Sequence, residues 1–140
     1  MSDGLFGIFG ITGSGMAAER TRMDVIASNL ANADTTRTAN GQPYQRKEVV
    51  LEATPGSGQT FADQLAGVTV AGVVNDPSPG RQVYDPGHPD ANAQGYVTLP
   101  NVNPVTEMVD LITASRGYEA DAQALQSAKT LFTSTIDLLK

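Results

Sequence analysis

Cysteine does not occur in the 140 residues, and histidine occurs once, at His88. The first absence excludes a disulfide framework, a thiol nucleophile and a cysteine-type zinc site. The second leaves no pair of imidazoles for a metal. Aromatic residues make up 6% of the chain. That is thin material for a large core and points to burial between molecules rather than within one. Basic residues are scarce too, 9 against 15 acidic, for a net charge of −6. Such a balance argues against a duplex nucleic acid or an anionic membrane as the main partner. No apolar run is long enough to span a bilayer, so no membrane insertion is expected. The stretch from Met1 to Met16 lacks the basic start and continuous apolar core of a cleaved signal peptide, so export would need another route.

Proline is absent after Pro104, and what replaces it is a long repeat. Leu111, Tyr118, Leu125, Phe132 and Leu139 recur every seven residues, with Ala114, Asp121, Ala128 and Thr135 three residues after the first four. Met108, Ala122 and Ile136 widen the seam into a helical stripe, while Glu107, Asp110, Arg116 and Glu119 are expected to point elsewhere. Asn103 is a suitable N-cap, Pro104 suits the first helical position, and Glu107 suits the positive end of the helix dipole. An unbroken helix from Pro104 to the end would be roughly 50 Å long. Part of its stripe therefore needs another helix or another molecule.

The same period marks the other end of the chain, through Met16, Met23 and Leu30 with Ile26 on the same side. Ser14 is the expected cap, and alanines at 17, 18, 27, 31 and 33 let a second helix come close. A helix of about eighteen residues here would cover half of the C-terminal one. Ahead of it, GLFGIFGITGSG at 4–15 has glycines at 4, 7, 10, 13 and 15. No Lys-Ser/Thr pair follows to make this a phosphate loop, and the stretch is expected to be a flexible apolar leader that orders on packing.

All eight prolines and eight of the fourteen glycines fall between Gly41 and Pro104, which excludes long helices from most of that region. Tyr44–Ala53, Val68–Val74, Gln82–Tyr84 and Tyr96–Leu99 are expected as strands. Gly56–Gln59 is expected as a loop and Phe61–Leu65 as a short turn. The segment YDPGHPD at 84–90 sets His88 between Asp85 and Asp90, residue types that could serve a metal or acid/base chemistry. Two prolines and a glycine in seven residues also make a tight turn unaided. Charge is uneven, +2 over residues 16–47 and −5 over 48–104. Unlike patches could meet in a head-to-tail assembly, or the pattern is ordinary surface scatter.

Three stretches carry a resemblance: MAAERTRMDVIASNLANADTTR at 16–37, YDPGHPDANAQGYVTLPNVNPVTEMVDLI at 84–112 and ASRGYEADAQALQSAKTLF at 114–132. By these the chain resembles the bacterial flagellar axial proteins. ASNLANA is shared by rod, hook and hook-associated proteins, while the 84–112 run points to the proximal-rod proteins of the basal body. Gly117 and the glycine-rich leader depart from the family pattern.

The resemblance implies an α+β protein with two parts. The terminal helices, 16–36 and 103–140, form an antiparallel coiled-coil rod domain behind a leader at 1–15, and residues 37–102 form a small β-rich middle domain. It further implies a structural subunit with no enzymatic activity and no cofactor. Copies of the chain and other flagellar rod proteins would stack helically into the torque-transmitting shaft that crosses the periplasm around an export channel. The flagellar type III export apparatus would deliver it. The expected assembly interface comprises Met16, Met23, Ile26, Leu30, Met108, Leu111, Tyr118, Leu125, Phe132 and Leu139.

Overall fold

The computed structural model describes residues 2–54 and 67–138, with side chains from Gly7 onward. Its elements in chain order are α1 (Ser2–Ala31), β1 (Lys47–Thr54), β2 (Gly67–Asn75), β3 (Gln82–Tyr84), β4 (Tyr96–Thr98) and α2 (Pro104–Asp137). The fold is α+β, as expected from the sequence. The loop expected at Gly56–Gln59, the turn at Phe61–Leu65 and the seam position Leu139 lie outside the described residues.

Helix α2 begins as the sequence dictates. The Asn103 side chain accepts from the backbone N–H of Val105 at 3.0 Å, and Pro104 occupies the first turn. Helix α1 differs from expectation at its start. It begins at Ser2 and runs through the glycine-rich stretch, so Ser14 is not a cap but an interior residue. Its hydroxyl donates to the Ile11 carbonyl at 2.7 Å and accepts from the Val68 N–H at 3.0 Å. Glycine costs up to about 1 kcal/mol per helical position, and the packed flank of α2 offsets that cost here, as tertiary contacts commonly do.

The helices lie side by side and antiparallel: Asn29 meets Glu107, Glu19 lies against Gly117, and Gly15 lies against Asp121. At this register α1, 30 residues long, runs beside nearly the whole of the 34-residue α2 rather than half of it. A Cβ at Gly117 would sit 3.3 Å from the Glu19 side chain, and one at Gly15 would sit 2.6 Å from the Asp121 carboxylate. Both glycines therefore mark places where the helices approach closely. The apolar residues buried between them are Ala18, Ile26, Ala114 and Ala128.

Strands β1 and β2 form an antiparallel ribbon from Lys47↔Asn75 to Thr54↔Gly67, and Ala71 is the extra residue where the register shifts beside Val50 and Leu51. The ribbon packs on α1 and not on α2, so α1 lies between them. Asn29 holds Lys47 at one end and Ser14 holds Val68 at the other. Fifteen helical residues rise about 22 Å and seven strand steps about 23 Å, so ribbon and helix match in length. Strands β3 and β4 form a second, shorter antiparallel pair. Gly95 stands beside it at φ 81°, with the Tyr84 ring 2.8 Å from where its Cβ would be. A side chain there would be strained on both counts.

Candidate functional site: a buried polar junction and an open apolar ridge

The stripe of α2 divides into two faces with different uses. Leu111, Tyr118 and Leu125 are half-buried, as are Met16, Met23 and Leu30 on the other helix, while Ile26 is buried. Seven of the ten expected interface residues are thus at least partly buried within the fold of a single chain. Phe132 stays 42% exposed, and Met108 does not face α1 at all. With Val105, Val109 and Ile112 it forms a row at i, i+3, i+4 and i+7 whose members keep between 52% and 71% of their surface. That is the pattern of a helix face built to receive a partner.

Where α1, β1 and α2 converge, the chain buries polar groups instead. Asn29 and Glu107 are both 0% exposed. The Asn29 side chain uses its full hydrogen-bonding capacity. It accepts from the Tyr44 hydroxyl and the Lys47 N–H, each at 2.9 Å, and donates to the Lys47 carbonyl at 2.9 Å and to Glu107 Oε2 at 3.0 Å. The second oxygen of Glu107 is ion-paired to Nε of Arg46. Glu107 was expected on the outside of the helix and is instead at its centre, because it falls four residues before Leu111, on the inward stripe.

Arg46 is the hub of this junction. Besides Glu107 it faces Glu48, Asp76 at 3.8 Å and Asp110 at 3.7 Å, which come from β1, the end of β2 and α2. The hydrogen bond to Glu107 holds its guanidinium pKa above the usual arginine value. Hydrogen bonds from Ser78, with a smaller contribution from Arg46, hold the Asp76 carboxyl below the usual carboxylate range. Asn101 completes the frame, accepting from the Arg46 N–H at 2.7 Å and donating to the Asp76 carbonyl at 3.1 Å.

Asp85, His88 and Asp90 do local work. The Asp85 carboxylate accepts from the Gly87 N–H at 3.2 Å, His88 Nδ1 accepts from the Asp90 N–H at 3.0 Å, and the Asp90 carboxylate accepts from the Thr36 hydroxyl at 2.8 Å. They tie a turn together and fasten it to the loop that follows α1. Among the described residues no three His, Asp or Glu are grouped to hold a metal.

Residues 11–37 match the family model described as "Flagella basal body rod protein", and residues 93–138 match "Flagellar basal body rod FlgEFG protein C-terminal". The two matched segments supply the Asn29 and Glu107 sides of the junction. The flagellar basal-body rod protein FlgC of Yersinia enterocolitica is 44% identical over 134 residues, 96% of this chain and 97% of its own length. The FlgC of Borreliella burgdorferi is 41% identical over 150 residues, 98% and 99% of the two chains. The chain belongs to the FlgC family of flagellar basal-body rod proteins. The FlgC of Bacillus subtilis is 41% identical over 145 residues. As a member of the FlgC family the chain is a structural subunit of the flagellar basal-body rod.

Proposed function

We propose that this subunit assembles helically with copies of itself and with other rod proteins through the faces that its own fold leaves uncovered. The Val105–Met108–Val109–Ile112 ridge of α2 is the chief of these, and Phe132, on the seam side toward the far end of the helix, is a second exposed apolar contact. The observation that carries the reading is the ridge itself, four large apolar side chains in helical register, each more than half exposed among the described residues. A monomer in water gains nothing from such a row. Burying it against a neighbour at roughly 25 cal/mol per Å², repeated through a lattice, stabilises the assembly and the subunit together. Contacts of this heterologous kind propagate as a filament unless a different neighbour caps them.

In this reading the helix hairpin lies innermost in a proximal rod that transmits torque and surrounds the export channel, and the β-rich middle lies outside it. The subunit reaches the rod through the flagellar type III export apparatus. Its work is mechanical, and no step requires catalysis or a cofactor. Ile112→Asp tests the reading. The substitution is expected to leave the circular dichroism of the purified chain unchanged while abolishing rod incorporation and swimming. Normal motility with Ile112→Asp as the sole copy would overturn it.

A further inference from the structure

The seam between α1 and α2 is nearly repetitive. Leu111, Tyr118, Leu125 and Phe132 return every seven residues along α2, and Met16, Met23 and Leu30 return with the same period along α1. The apolar residues it buries are small, mostly alanine. A slip of one heptad would bring equivalent apolar groups together again, so burial of area alone discriminates poorly between registers. Charged side chains also meet glycines along the seam, at Glu19 with Gly117 and at Asp121 with Gly15, but among the described residues the polar side chains that are fully buried are those of the layer where Asn29 meets Glu107.

We propose that Asn29 and Glu107 select the register of the helix hairpin, and with it the height at which the ridge of α2 stands relative to the β1–β2 ribbon. Both side chains are fully buried, and the amide is bound on all sides. A slip that moved α1 by one heptad along α2 would set Asn29 opposite Ala114, which offers no side-chain partner, and would draw the amide away from the carboxylate. A buried polar group left unmade disfavours such a state by on the order of 10- to 100-fold. The orientation of the amide is itself determined, because the Lys47 N–H must meet its oxygen and the Lys47 carbonyl its nitrogen. Asn29 thereby ties three things at once: α2 through Glu107, and the start of β1 through Lys47 and Tyr44. A lone buried asparagine is a known device for choosing register in paired helices at some loss of stability.

Because the chain has no cysteine, an engineered pair reports register cleanly. Glu19 lies against Gly117 in the native hairpin, so Glu19→Cys with Gly117→Cys reports the native register. Glu19→Cys with Ala124→Cys reports the slipped one, about 10 Å further along. In the otherwise unchanged chain only the first pair should oxidise to an intramolecular disulfide. Adding Asn29→Leu with Glu107→Leu, which leaves Arg46 its three other carboxylates, should keep the helix content and raise the slipped product at least about tenfold. Exclusive native cross-linking in that background would overturn the proposal. Asn29→Ala deletes only the amide and serves if the leucine pair does not fold: a slipped product must again appear, and its absence counts against the pair as selector. Glu107→Gln retains a partner for the amide and should keep the native product alone; slipped product there would equally overturn the idea.

Discussion

Glu107 shows how one side chain can govern three segments. It is a carboxylate with no exposed surface, held by Asn29 from α1 and Arg46 from the approach to β1. Glu107→Ala removes one bond to a charged partner and leaves the Asn29 amide short of an acceptor. The loss expected is about 2–4 kcal/mol, read as a lower urea midpoint. Asp76 contributes to the pH dependence of stability. Its folded pKa is depressed, chiefly by hydrogen bonds from Ser78. The stability it contributes is therefore present above the unfolded carboxylate value near 4 and is lost as pH falls through the lower folded value. Stability should be flat from pH 7 to about 5 with respect to this group and fall below about 4. Asp76→Asn should flatten that acid limb, which thermal melts across the range would show. The buried role of Glu107 could have been read from its place on the seven-residue stripe. The partner that makes burial tolerable could not, because Arg46 is sixty-one residues away in sequence.

Among the elements, α2 was the most legible. Its start is written in Asn103 and Pro104, and its inward face in the heptad, because caps and periodicity are local. Asn103→Ala should cost about 1 kcal/mol, measurable by denaturant unfolding. Leu125→Asp, placed on the half-buried side, is expected to lower thermal stability as well as motility, whereas Ile112→Asp on the ridge should affect motility alone. Comparing melting temperatures of the two variants tests whether the faces are divided as described. The strands were also legible from β-branched residues and punctuating prolines and glycines, to within three residues at each end. Helix α1 was not. Gly7, Gly10, Gly13 and Gly15 weaken any local case for helix, and the tertiary contacts found at the end of this stretch are those of Gly15 with Asp121 and of Ser14 with Val68.

At the scale of the whole molecule, polar and apolar burial are unevenly spread. The junction end of the hairpin holds Ile26, Asn29, Tyr44 and Glu107, while α2 from Lys129 to Leu138 is exposed throughout. Hydrogen exchange on the isolated chain should therefore find the slowest amides near Asn29 and Glu107, and fast exchange over the last turns of α2 and the first turns of α1. Uniform protection along both helices would contradict this distribution. The sequence by itself determined the class of fold, the capped C-terminal helix and the family, since each depends on residues within a few turns of one another. Tertiary contacts had to be seen before the heptad positions could be placed as half-buried, the glycine-rich start as helix, and the Val105–Met108–Val109–Ile112 ridge as exposed. Those outcomes depend on which surfaces meet, and two faces of one helix with similar apolar character cannot be ranked until a partner has covered one of them.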